Sequence, residues 1–164
     1  MQNSDLLKNK IVNPDHLKGL IESWKLQHKK IVFTNGCFDL LHLGHIDYLV
    51  KAADLGDKLV IGLNSDRSTR QLKGDHRPIN NEESRSAILA ALFFVDAVVL
   101  FDEETPTNLI DLVKPDILVK GSDYKVNEIA GADIVTASGG EVRLIDYLPG
   151  YSTTAIEKKI KNSG

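Results

Sequence analysis

Two histidines three residues apart, His42 and His45, stand in the stretch FTNGCFDLLHLGHIDYL, residues 33–49, where an apolar run gives way to helical periodicity. An imidazole pair at such a junction can ligate a metal, move protons, or donate hydrogen bonds to an anion. If residues 42–45 form the first turn of a helix, the two rings share one face. Gly36 and Gly44 permit close backbone approach, and the free N–H groups of a helix start favour phosphate. Cys37 adjoins the pair and extends a zinc reading, but no fourth ligand cluster lies near it in the chain. The anion reading gains support from Lys73, Arg77, Arg85 and Lys120, which supply cations farther along, and from the hydroxyls of Ser152, Thr153 and Thr154.

The elements that must position these groups alternate in type. Apolar, β-branched runs at residues 30–35, 58–64, 97–101, 116–121 and 141–145 read as strands, and segments 44–56, 81–95, 105–113 and 127–140 between them read as helices. Thr154 and Glu157 have capping-box spacing for a last helix. Strand and helix in alternation predict an α/β fold: a Rossmann-like, doubly wound, five-stranded parallel sheet with helices on both faces. Residues 1–29 read as a helical lead-in and 30–164 as the main domain. Residues 64–80 read as one long irregular connection, of the kind that carries function. Ligands of such sheets lie beyond the carboxyl ends of the strands. The histidine stretch, residues 64–80, the segment around Lys120 and residues 148–154 each leave such an end, so they are expected to meet in one polyphosphate cleft.

Composition removes several classes. With 164 residues and 42% hydrophobic content the chain suits one domain. Lys plus Arg number 20 against 23 Asp plus Glu, a net charge of −3, so no overall field favours nucleic acid or an anionic membrane. The apolar run at residues 87–95 is far shorter than the roughly 20 residues of a bilayer span. With its lone Cys37, the protein is expected to be cytoplasmic.

The motif GCFDLLHLGH resembles the G-x-F-D-x-x-H-x-G-H signature of the cytidylyltransferase-like nucleotidyltransferases, and YSTTAI is similar to that superfamily's second motif. Within it, LKGDHRPIN, AALFFVD, TPTNLIDLVKPDILVKGSDY, IAG and GGEV resemble the heptose 1-phosphate adenylyltransferases. The resemblance implies transfer of AMP from ATP to a heptose 1-phosphate, giving ADP-heptose and pyrophosphate for lipopolysaccharide-type glycans. It implies catalytic roles for His42, His45 and Lys73. Nucleotide and phosphate contacts would come from Asn35, Gly36, Cys37, Phe38, Gly44, Arg77, Arg85, Lys120, Ser152, Thr153 and Thr154, and sugar contacts from Asp39, Asp123 and Tyr124; Arg77 and Arg85 also fit simple salt bridging, and Asp39 a role in fixing the loop. A magnesium ion would be held mainly by the ATP phosphates, with no protein metal cage. No kinase motif is present, so a separate sugar kinase would supply the substrate, and a homo-oligomer is allowed. Two alternatives stand beside this reading: a cytidylyltransferase acting on glycerol 3-phosphate or another phosphomonoester, and a non-catalytic nucleotide-binding regulator.

Overall fold

Alternate residues of the central strands face opposite ways, and both sides are apolar, so the sheet must be covered twice. In the computed structural model, which describes all 164 residues, the chain runs through α1 (Asn3–Lys10), β1 (Ile11–Val12), α2 (Pro14–Leu26), β2 (Ile31–Gly36), α3 (Leu43–Ala53), β3 (Lys58–Asn64), α4 (Asp66–Lys73) and α5 (Glu82–Ala91). It continues through β4 (Ala97–Phe101), α6 (Thr107–Val113), β5 (Ile117–Gly121), a 3-10 turn (Val126–Glu128), α7 (Ala132–Ala137), β6 (Glu141–Ile145) and α8 (Thr153–Lys161). All strand pairs are parallel, in the order β1-β4-β3-β2-β5-β6. Ile31 and Phe33 of β2 turn toward Leu17 and Ile21 of α2, Ile110 of α6 and Val135 of α7. Val32 faces the opposite layer, with Leu49 of α3 and Leu89 of α5. No helix is long and apolar enough to cross a membrane.

Four sequence expectations need correction. The sheet has six strands, because Ile11 and Val12 pair with Val98 and Val99 at its edge. Residues 1–29 are therefore more than a helical lead-in: Asn13 caps α2 by accepting from the His16 N–H at 2.8 Å, and Leu17 is fully buried in the core. The connection 64–80 is only partly irregular, since α4 occupies much of it. Ser65 starts α4 by accepting from the Ser68 N–H at 3.1 Å, and the residues it buries are Ser68 and Thr69, so no apolar stripe announces it. The helix expected over 127–140 is likewise two short pieces separated by Gly131 at φ 83.

Leu17→Ala should lower stability by about 2–5 kcal/mol, the range for emptying a buried leucine site, and urea unfolding should remain a single transition. A near-neutral result would mean that α2 is not part of the core.

Candidate functional site

The chain leaves β2 toward β3 and β4 on one side and returns to β5 and β6 on the other, so the strand order reverses between β2 and β5. That reversal leaves a crevice at the carboxyl ends of these two strands. A cleft of about 770 Å³ opens there, with walls from residues 35–39, His45, Lys73, Arg77, Lys120, Tyr124, Thr153 and Thr154. Segments separated by more than a hundred residues thus meet: the Thr153 hydroxyl donates to the Leu40 carbonyl at 3.4 Å.

The histidines start α3. His42 is its N-cap, with extended backbone, and His45 is the third residue of the helix. The rings stack with centroids 3.9 Å apart, and the His42 N–H donates to His45 Nδ1 at 3.3 Å. That bond leaves the His45 proton on Nε2. Burial, then the neighbouring His42, depress the His45 pKa from the usual 6.5 to about 4, with the Leu40 carbonyl pulling the other way. Burial lowers His42 as well. Both rings are neutral at pH 7. His45 lines the cleft, whereas His42 lies behind it with a buried Nδ1 that has no partner. At Gly44 the close approach is made by side chains of this chain. A Cβ there would come 2.9 Å from the His42 ring and 3.2 Å from Tyr151 Cβ, so the glycine makes room for the stack.

The turn after β2 is held from below. Phe38 has φ 45 and packs its ring 5.6 Å from His45; Gly36 admits that ring, since a Cβ would meet it at 3.0 Å. Asp39 was expected to face sugar hydroxyls, but its carboxylate accepts from the Ile79 N–H at 2.8 Å, the Asn80 N–H at 2.8 Å and Arg77 Nη1 at 3.2 Å. Its acceptors are spent on the loop. Arg77 lines the cleft while bridging Asp39 to Glu157 of α8 at 2.6 Å. Arg85, expected at the phosphates, is fully enclosed: it donates to the carbonyls of Asn80 at 2.9 Å, Cys37 at 2.7 Å and Asn64 at 2.8 Å, and pairs with Asp66 at 2.8 Å. It does not line the cleft.

Asn35, Cys37 and Lys73 line the cleft, Lys73 from the end of α4. Lys120 Nζ sits 3.3 Å from Asn35 Oδ1 and 4.8 Å from the Tyr124 ring centre. Burial draws its ammonium below the usual lysine value, while Asp123 and Cys37 act in the opposite sense. Asp123 stands outside the lining, near Tyr147, whose phenol is pushed up to about 12 by burial and then by Asp123. Ser152 caps α8, accepting from the Ala155 N–H at 3.0 Å, so Thr153 and Thr154 are the hydroxyls that face the cleft. Sequence reasoning did not single out Tyr48, Asn64, Thr69, Glu104 or Tyr147, which also line it. Tyr48 carried a usable signal, since it follows His45 by three helical positions.

A parallel α/β sheet with paired imidazoles at the helix start beside its reversal point, faced by a hydroxyl-rich helix start, defines a nucleotide-handling enzyme of Rossmann type. Residues 33–159 match the cytidylyltransferase-like family. The chain belongs to that family and is a nucleotidyltransferase. It is 59% identical over 135 residues to the bifunctional protein HldE of Campylobacter concisus, covering 82% of this chain and 28% of that protein. Against the HldE of Geobacter metallireducens it is 56% identical over 151 residues, 92% of this chain and 31% of that one. The chain thus spans only 28% to 33% of the length of the curated relatives it matches. The crystal structure of a lipopolysaccharide core biosynthesis protein from Thermoplasma volcanium superposes with a TM-score of 0.58 and 34% identity, over 73% of this chain and 97% of that one. A pantoate-beta-alanine ligase from Francisella tularensis, 17% identical with a TM-score of 0.57 over 92% of this chain and 76% of that one, shares the fold.

Two outcomes follow from this geometry. Arg85→Met should cost about 3–5 kcal/mol in urea unfolding, because it leaves Asp66 and three carbonyls without their donor; a loss below 1 kcal/mol would contradict the buried network. His45 binds a proton less readily folded, near 4, than unfolded, at 6.5. Stability therefore falls as pH drops from 6.5 toward 4. His45→Gln should flatten part of that fall in the thermal midpoint, and identical slopes in the two proteins would count against a neutral His45.

Proposed function

We propose that the protein transfers AMP from ATP to a heptose 1-phosphate, releasing pyrophosphate and forming an ADP-heptose for lipopolysaccharide-type glycans. The observation that carries this reading is the facing of His45 and Thr153 across one cleft, bridged by the Thr153 bond to Leu40. A string of phosphates can be gripped there from two helix starts. The match to HldE proteins and to a lipopolysaccharide core biosynthesis protein supports the sugar class.

In this reading a sugar phosphate oxygen attacks the α-phosphorus, the bond to the β-phosphate oxygen breaks, and the electron pair leaves with pyrophosphate. The acceptor phosphate has a second pKa of about 6 and is largely ionised at neutral pH. No general base is needed. The work left to the protein is positioning and charge stabilisation. His45, with its proton on Nε2, donates to the phosphates, and the unpartnered His42 Nδ1 suits a ligand hydroxyl or water behind them. Residues 36–38 offer backbone N–H groups, Thr153 and Thr154 close the opposite side, and Lys73 draws off charge on the leaving pyrophosphate. Lys120, Asn35 and Tyr124 face nucleotide or sugar, with Asp123 acting through its neighbours. Arg77 contributes from the loop while tethered to Asp39 and Glu157.

No His, Cys, Asp or Glu side chains gather into a metal cluster. That donor set fits magnesium held by phosphate oxygens and water, which its reluctance to dehydrate favours. When bound, the ion neutralises charge on the triphosphate. The reading further expects a cytoplasmic enzyme whose sugar 1-phosphate is supplied by a sugar kinase activity.

Pyrophosphate release measured for ATP, CTP and GTP against heptose 1-phosphates, other sugar phosphates and glycerol 3-phosphate tests this directly. The expected best pair is ATP with a heptose 1-phosphate; preference for CTP with glycerol 3-phosphate, or binding without turnover, would replace the reading. With the best pair, His45→Ala should lower kcat roughly 10²- to 10³-fold, as for loss of one transition-state donor, with the circular dichroism spectrum unchanged. A near-normal rate would remove the proposed role of the histidine.

A further inference from the structure

β2 pairs with β3 along its whole length, from Ile31 to Gly36. With β5 it pairs only at Val32 and Phe33. Beyond that point side chains take over. Thr34 Oγ1 donates to the Val119 carbonyl at 3.0 Å, the Tyr48 hydroxyl reaches the same carbonyl at 3.2 Å, and the two hydroxyls are 2.8 Å apart. One residue on, Lys120 bridges to Asn35 at 3.3 Å. Tyr48 belongs to α3 and lies one turn beyond His45, so a single phenol links the histidine helix to the carbonyl immediately preceding Lys120.

We infer that Tyr48 is a positioning residue of the transfer site: its hydroxyl, wedged with Thr34 between β2 and β5, sets the separation of His45 from Lys120. The reason is directional. Apolar packing alone tolerates small slides of a helix along a sheet, whereas a hydrogen-bonded network in a dry interior has one geometry that satisfies every member. Tyr48 is only 6% exposed, and its burial keeps the phenol protonated and able to donate. The wedge is also buttressed. Tyr147 stacks on Tyr48 with centroids 6.0 Å apart and rests on Gly121, where any Cβ would collide with its phenol. The helix of His45 and the strand of Lys120 are therefore both gauged from one gap between β2 and β5.

This inference uses the proposed transfer only as its kinetic readout, and the test separates the two. Wild type, Tyr48→Phe, Lys120→Ala and the double variant are assayed by pyrophosphate release with the best substrate pair. Phenylalanine fills the same volume and leaves Thr34 on Val119, so Tyr48→Phe should fold and shift the thermal midpoint by no more than a few degrees. Its kcat should fall roughly ten- to hundredfold, the penalty for small misplacement of reacting groups, while KM for ATP changes little. In the Lys120→Ala background the same substitution should cost much less, because the two act through one geometry. Wild-type kcat in Tyr48→Phe, or an equal loss in both backgrounds, would overturn the inference. The Lys120 ammonium resonance in a nitrogen-15 spectrum needs no substrate: it should move in Tyr48→Phe, and an unmoved signal would also overturn the wedge. Absence of turnover by wild type with every substrate pair would instead defeat the transfer reading, leaving the resonance to decide on Tyr48.

Discussion

One enclosed guanidinium organises the mouth of this sheet. Arg85 comes from α5, yet three of its partners are backbone carbonyls outside that helix: Cys37 just after β2, Asn64 at the close of β3, and Asn80 in the loop before α5. A charge removed from water is costly, and Asp66 offsets only part of that cost. What the network contributes is registry. Carbonyls that would otherwise point into the domain without partners are satisfied by one planar fork, so the turn carrying Cys37 and Phe38 has one position relative to β3. The histidine stack rests on that turn through Phe38.

Beside this floor, the cleft wall formed by α8 is attached mainly by polar contacts. α8 buries no residue; it is held by the Thr153 bond to Leu40 and by the Arg77–Glu157 pair, which in turn is anchored on Asp39. A wall held this way has a low free energy of local opening compared with the apolar core. Such a wall suits the proposed exchange, in which a triphosphate enters and pyrophosphate leaves. The imidazoles, by contrast, are stacked and partly buried, which favours their uncharged form, so in the proposed transfer they serve as oriented dipoles rather than as cations.

The legible parts of the fold were those with an apolar period. β2 through β5 were legible because their apolar runs are buried on both faces, and β6, though largely exposed, showed in its Val142, Leu144 and Ile145; the parallel doubly wound arrangement followed. α4 escaped notice because it buries Ser68 and Thr69 in place of leucines. β1 is two residues long, too short for any period, and it exists only because β4 offers it an edge. In the site, residue type and position singled out the histidines, Lys73, Lys120, Thr153 and Thr154 as candidates, and all of these except His42 line the cleft. For Arg85 and Asp39 the sequence left a ligand role and a structural role open, for a shared reason: a charged side chain reads as available until the fold supplies its partners.

The sequence by itself determined the chemistry on offer. It specified a strand-to-helix turn bearing two imidazoles, a late hydroxyl-rich helix start, and a balance of charge that excludes a general polyanion surface. Only the tertiary structure decided which groups remain free for a ligand. Arg85 meets Cys37 across 48 residues, Asp39 meets Ile79 across 40, and Thr153 meets Leu40 across 113. Local pattern reports what a residue can donate or accept, but a buried polar group must be satisfied by whatever the topology brings to it, and that competition is settled in space rather than along the chain.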